Sequence, residues 1–252
     1  AVFELGDTKF TLLDTPGHVD FSAEMERTLQ VLDYAILVIS GADGVQGHVQ
    51  TLWKLLERYN IPTFLFVNKM DQPGTDKNVL IAELQKRLSD KCVNFSTDKT
   101  SEEFEESVAM CDEALLENYL EGNVIEASDI QNLVAARKLF PCFFGSALNN
   151  FGVEFFLEHF LKMTTAPLAR KAGETMVQPF EETFSAFVFK IQANMNKAHR
   201  DRIAFLREGS GKFAEGAVEG KFSHYKKLGK SLLWDLFGLD LSRGAKDSYS
   251  NC

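Results

Sequence analysis

The stretch "IPTFLFVNKMD", residues 61–71, runs four large apolar residues, Phe64 to Val67, straight into Asn68, Lys69 and Asp71. A short apolar run without polar alternation is the pattern of a strand covered on both faces, as in a parallel sheet. Two other stretches have the same form: "YAILVIS", residues 34–40, and "LFPCFFGSAL", residues 139–148. Between and around them lie amphipathic segments, "AEMERTLQVLD" at 23–33, "VQTLWKLLERYN" at 49–60 and "VLIAELQKRLSD" at 79–90. Residues 98–139 read as helical, with an acidic first turn "TSEEFEES", and "GVEFFLEHFLKM" at 152–163 reads as a closing helix. Strand alternating with helix predicts an α/β fold with a parallel sheet between two helical layers, and "KFTLL" at 9–13 reads as a further strand of it.

After residue 163 the period changes. Residues 164–183, with Pro167, Gly173 and Pro179, read as a linker. "FSAFVFKIQA" at 184–193 and "DRIAFLREGSGKF" at 201–213 then alternate with period two, predicting an antiparallel β module of barrel type. Charge divides the chain in the same way. Residues 1–165 hold 26 acids and 13 bases, a net −13, whereas residues 166–252 hold 10 acids and 14 bases, a net +4. The division predicts two modules, the second suited either to a phosphate-bearing partner or to a solvated surface of mixed charge.

Composition excludes several classes. With 252 residues and 45% hydrophobic content the chain can bury a full core. No run of 18 apolar residues and no signal-peptide layout occurs, so neither membrane insertion nor export is indicated. The four cysteines, Cys92, Cys111, Cys142 and Cys252, lack metal-ligand spacing and suit reduced thiols in a cytoplasm.

Three strand ends carry the chemistry, because ligands of open α/β sheets sit beyond the carboxyl ends of the strands. In "LLDTPGHVDF", residues 12–21, Asp14 can hold magnesium directly or through water, Gly17 lets a backbone N–H approach a phosphate oxygen, and His18 can position a water. The same residues also suit a strand end capped by Asp and broken by Pro-Gly. In "NKMD", the Asp71 carboxylate complements two neighbouring N–H groups such as the N1 and N2 edge of guanine; Lys69 can lay its stem along the base and Asn68 can tie the loop together. A polar strand-to-helix turn has the same composition. In "GSAL", Ser146 and Ala147 stand just past the last strand, where a backbone N–H can meet guanine O6.

Together, "DTPGHVDF", "NKMD" and "GSAL" resemble the third, fourth and fifth nucleotide motifs of the translational GTPases of the elongation factor G superfamily, over roughly residues 1–216. Residues 1–139, with "VLDYAILVISGADGVQ" and "IPTFLFVNKMDQPGTD", resemble the tetracycline-resistance ribosomal protection proteins. From residue 140 on, "FFGSALNNFGVEFFLEHF" and "FSAFVFKIQANMNKAHRDRIAFLREGSGKF" are similar to peptide chain release factor 3. The resemblance implies a P-loop-NTPase-like GTPase sheet and a cytoplasmic, GTP- or GDP-binding translation factor that works with magnesium on the ribosome, with no membrane or DNA partner. It implies that Asp14 binds magnesium through water, Gly17 contacts the terminal phosphate and His18 orients the attacking water. Asn68, Lys69, Asp71, Ser146 and Ala147 would form the guanine pocket. The domains expected are 1–165 for GTP binding, 166–183 as linker, 184–216 as the start of a β-barrel and 217–252 as an atypical tail.

The family's glycine-rich GxxxxGK[ST] loop occurs nowhere in the 252 residues. In the related strand order the first strand lies between residues 9–13 and 35–40, so the sheet is expected to lack a central member and to have two unpaired edges. Three or four lost phosphate bonds would weaken nucleotide binding by about 5–10 kcal/mol, so this chain alone is expected to hydrolyse GTP negligibly. The alternatives are a non-hydrolysing guanine-nucleotide or ribosome-binding module and a non-functional gene fragment. In "NKAHRDRIAFLR", Lys197, Arg200 and Arg202 are candidates for ribosomal RNA phosphates, or for pairing with Asp201 and Glu208 inside the run. Trp53 reads as core, and His48 as a surface position at a helix start.

Overall fold

The computed structural model describes residues 1–15, 22–97, 101–165, 167, 169–172, 174–193 and 202–211. The chain divides into two compact units, residues 1–166 and 167–252.

In the first unit, β3 (Ala35–Ser40), β4 (Thr63–Asn68), β6 (Phe140–Phe144) and β5 (Cys92–Asn94) form a four-stranded sheet in the order β3-β4-β6-β5. All its pairings are parallel, and the register sets Ser40 opposite Asn68 and Val67 opposite Phe144. The carboxyl ends of three strands therefore finish side by side. Along β4 the side chains alternate between two cores, the geometry of a pleated strand buried on both faces. Phe64 and Phe66 join Phe95, Phe143, Phe156 and Phe160 on one face; Leu65 and Val67 join Trp53, Leu80, Leu84 and Phe144 on the other. α2 (Gly47–Arg58) and α3 (Lys77–Arg87) supply the second layer, and α4 (Glu102–Ala109), α6 (Ala127–Ala135) and α7 (Val153–Met163) the first. Much of the phenylalanine content is used here: Phe64 packs edge-on to Phe160 at 4.8 Å, Phe143 to Phe156 at 5.1 Å and Phe95 to Phe104 at 5.0 Å. Burying each such side chain contributes about 1.5–3 kcal/mol.

The helical stretch expected over 98–139 is three helices among the described residues. α5 (Glu113–Leu120) begins where Asp112 accepts from Ala114 N–H and Leu115 N–H, and α6 begins at a reciprocal cap between Glu126 and Asp129. Each cap satisfies amide donors that the first turn of a helix leaves open, so a new helix starts there.

Two expectations need correction. "KFTLL" does not add to the parallel sheet. β2 (Thr8–Thr11) pairs antiparallel with β1 (Val2–Leu5) through a tight turn at Gly6, φ +58, and the two form a separate hairpin. The outer edge of β3 is accordingly unpaired among the described residues. A cavity of about 180 Å3 lies between hairpin and sheet, lined by Phe10, Leu13, Thr15, Leu37 and Phe160 among others. The stretch expected as linker contains a small antiparallel hairpin, β7 (Arg170–Ala172) with β8 (Thr175–Val177). Local backbone pairing outweighs the weak side-chain periodicity of those residues.

In the second unit β9 (Ser185–Ala193) pairs antiparallel with β10 (Arg202–Ser210), with register shifts at Phe205/Leu206 and Glu208/Ser210. Among the described residues no helix is long and apolar enough to cross a membrane. Trp53 is buried edge-on against Phe140 at 4.6 Å, and His48 is exposed in the first turn of α2.

Candidate functional site

The site forms where β4 and β6 end. Val67 is the last buried residue of β4, and its carbonyl accepts Gly145 N–H at 2.9 Å, carrying the β4–β6 pairing one step beyond the strands. Met70 N–H returns to the Gly145 carbonyl at 3.0 Å. Gly145 must be glycine for this: a Cβ there would lie 2.3 Å from the Phe151 carbonyl oxygen and 2.9 Å from the Phe66 ring. Real Cβ atoms do not approach so closely, so the two loops touch only because the side chain is absent.

Asn68 then joins the loops. Its Oδ1 accepts from Lys69 N–H at 2.8 Å and from Ala147 N–H at 2.8 Å. Lys69 takes φ +65, a left-handed conformation that costs a side-chain-bearing residue about 1–2 kcal/mol and that collects at functional sites. The "NKMD" turn is closed behind by Thr75 Oγ1, which donates to the carbonyls of Met70 and Gln72 at 3.1 and 2.9 Å. Asp76 then caps α3 by accepting from Asn78 N–H and Val79 N–H. Lys69 and Asp71 are exposed, so their charges stand open to a ligand.

On the facing loop Ser146 N–H and Phe151 N–H exchange bonds with each other's carbonyls at 2.9 Å. Ser146 is 1% exposed and its Oγ has no hydrogen-bond partner among the described residues, as does Ser40 Oγ at the end of β3. A buried hydroxyl without a partner costs about 1–3 kcal/mol, which a polar ligand atom would recover. The structure thus brings Asn68, Lys69, Ser146 and Ala147 together, with Asp71 on the same turn.

Asp14 is exposed after β2 and stands between Leu13 and Thr15, which line the cavity beside the hairpin. Gly17, His18, Lys197 and Arg200 lie outside the described residues, and Arg202 is the first residue of β10, opposite Ala193. No group of three or more His, Cys, Asp or Glu residues that could hold a metal ion occurs among the described residues. Reading the sequence overlooked Gly41, Gly145 and Thr75, which build the loops. Gly41 and Gly145 each leave a trace in the sequence, as a glycine directly after an apolar strand run.

A profile described as the elongation factor Tu GTP binding domain matches residues 1–166, the extent of the first unit. Peptide chain release factor 3 of Symbiobacterium thermophilum is 38% identical over 252 aligned residues, covering 85% of this chain and 48% of that protein. The Enterococcus faecalis protein of the same name is 37% identical with the same coverage, and that of Gloeobacter violaceus is 34% identical over 94% of this chain and 52% of its own length. The chain spans about half the length of these relatives. Coverage of 85% takes in most of residues 1–139 as well, so similarity to release factor 3 extends across both parts that the sequence reading had assigned to different relatives. A crystal structure from Thermus thermophilus superposes with a TM-score of 0.65 at 23% identity, over 86% of this chain and 37% of that one, a likeness of fold.

Proposed function

Because the chain belongs to the elongation factor Tu GTP-binding domain family, we propose that it carries the guanine-recognition half of a translational GTPase of the release factor 3 kind, acting on the ribosome in the cytoplasm. The observation that carries this reading is the pair of hydrogen bonds that Asn68 Oδ1 accepts, which holds the "NKMD" turn and the Ala147 amide in one fixed relation at the carboxyl ends of β4 and β6.

In this reading the Asp71 carboxylate accepts from the guanine N1–H and N2–H groups, a charge-assisted bidentate pair. Lys69 covers one face of the base with its stem. Ser146 and Ala147 meet the O6 edge, and the unpartnered Ser146 hydroxyl supports that assignment. Adenine offers no such N1–H and N2–H pair, so a site built this way rejects it because Asp71 would be left unpaired. Asp14 would hold magnesium through water, and the ion would neutralise charge on the phosphates. Gly17 would present its N–H to the terminal phosphate and His18 would hold the attacking water. Hydrolysis is proposed only for a form that also carries a phosphate-binding loop. Lys197, Arg200 and Arg202 would meet ribosomal RNA phosphates, and a reduced salt slope of ribosome binding in Arg200→Ala and Arg202→Ala would test that part.

The central test is calorimetric titration with magnesium-GDP and, in parallel, magnesium-ADP. Heat specific to GDP that is lost in Asp71→Ala supports the reading. Equal heats for the two nucleotides, or GDP binding indifferent to Asp71, overturn it.

A further inference from the structure

Glu83 lies on α3, away from every motif residue, with its side chain 29% exposed. Its Oε1 accepts Val45 N–H at 3.1 Å and Arg87 Nη1 at 3.0 Å. Gly44, φ +64, passes so close that a Cβ there would stand 2.5 Å from Glu83 Oε2. The carboxylate is therefore seated against the turn that leaves β3, and Val45 beside it is fully buried.

That turn leads to the guanine loops without a gap. The Ser40 carbonyl accepts Gly44 N–H at 2.9 Å and Asp43 N–H at 3.3 Å, which closes the turn. Its first residue, Gly41, donates N–H to the Asn68 carbonyl at 2.7 Å, extending the pairing of β3 with β4 to the base of the "NKMD" turn. Gly41 packs closely here: a Cβ would stand 2.9 Å from Met70 Sδ, which would have to move, and 3.1 Å from the Asn68 carbonyl oxygen. From Asn68 the path continues through Oδ1 to Lys69 N–H and Ala147 N–H.

We propose that Glu83 is a positioning residue for the guanine pocket. It holds the 40–45 turn against the end of β4, and so fixes Asn68 and, through it, the Ala147 amide; its value for nucleotide recognition rests on the guanine reading given above. The physical reason is that a charged acceptor makes the strong bond at the far end of the path, while every other link is a neutral backbone or amide bond. A pocket that reads a base by hydrogen bonds loses selectivity when its donors and acceptors shift by a fraction of an ångström.

The test is amide hydrogen exchange on the full chain, followed in peptides covering residues 66–72 and 145–149, with a peptide from α6 as reference. Glu83→Ala should speed exchange in the two loop peptides about tenfold, the cost of one charge-assisted bond, and leave α6 unchanged. Gly44→Ala, which crowds the carboxylate off Val45 N–H, should do the same. Glu83→Gln keeps an acceptor but loses the charge and should fall between the parent and Glu83→Ala. Unchanged loop peptides in Glu83→Ala, or equal speeding in α6 in both Glu83→Ala and Gly44→Ala, overturn the proposal. Titration of the same variants with fluorescent GDP separates the two readings. If GDP and ADP at saturating excess displace the fluorescent nucleotide equally from the parent while exchange behaves as expected, the guanine reading fails and the hold of Glu83 on the loops stands.

Discussion

Ala147 N–H donates to Asn68 Oδ1 at 2.8 Å across 79 residues of chain, and Lys69 N–H shares the same oxygen. Asn68→Ala removes one acceptor and strands two donors. Both donors are exposed and can turn to water, so each lost bond costs about 0.5–1.5 kcal/mol, which lowers the melting temperature by about 2–4 °C for each kcal/mol in a chain of this size. Differential scanning calorimetry checks the drop. Asn68→Asp, which retains an acceptor at the same place, should melt within about 2 °C of the parent.

Lys69 should behave in the opposite sense. At φ +65 its backbone conformation is one that glycine adopts freely. Lys69→Gly relieves about 1–2 kcal/mol of strain and gives back about 0.5–1 kcal/mol in unfolded-chain entropy. The expected outcome is a small net gain in stability in urea unfolding, together with a loss of GDP affinity where the stem covers the base as proposed. A variant that loses both would mean that the Lys69 side chain stabilises the fold.

Gly145→Ala places a methyl group 2.3 Å from the Phe151 carbonyl oxygen, a backbone atom that cannot swing aside. Overpacking of this kind costs about 1–3 kcal/mol or more, and urea unfolding measures it. The same change pushes Ser146 away from Asn68, so GDP affinity should fall by more than the lost stability explains. Ala109→Gly, in α4 and equally buried, should reduce stability without that extra loss.

The thiols give a pH signature. Burial pushes Cys111 up from about 9 to about 11, with Lys91 opposing the shift. Burial, and then a hydrogen bond with Cys92, also raises Cys142. A raised acid keeps its proton in the folded state at a pH where the unfolded chain releases it. The stability it supplies is complete below pH 9 and is lost as the pH climbs from about 9 to about 11. Urea midpoints between pH 7 and 11 should fall over that window, and Cys111→Ala should flatten the fall. Native Cys111 should also react slowly with a disulfide reagent at pH 8, because little thiolate is present.

The central strands were legible in the sequence because both their faces are apolar. Phe64 to Val67 and Phe140 to Phe144 need no alternation when helices cover each side. The tips were legible because Asn68 and Ser146 break those runs with polar groups. What the sequence concealed is what crosses between segments. Glu83 on Val45, Gly41 on Asn68 and Gly145 against Phe151 join distant residues through backbone atoms, and which residues meet leaves no pattern along the chain. The β1–β2 hairpin was misread for a related reason. "KFTLL" has the composition of a buried strand, but its partner was decided by the turn at Gly6 and the short "VFEL" before it.

The outer side of β3, unpaired among the described residues, is also where the sheet can grow. "AILVIS" contains no charge and no proline, and Val38 is 57% exposed, whereas the opposite edge strand β5 is only three residues long. Lysine, proline and brevity are the usual deterrents to intermolecular strand pairing, and β3 has none of them. A strand from elsewhere in a longer chain, or from a second molecule, can therefore add at this edge. A single lysine at Val38 would disfavour addition of a strand from a second molecule without touching the loops at the ends of β4 and β6.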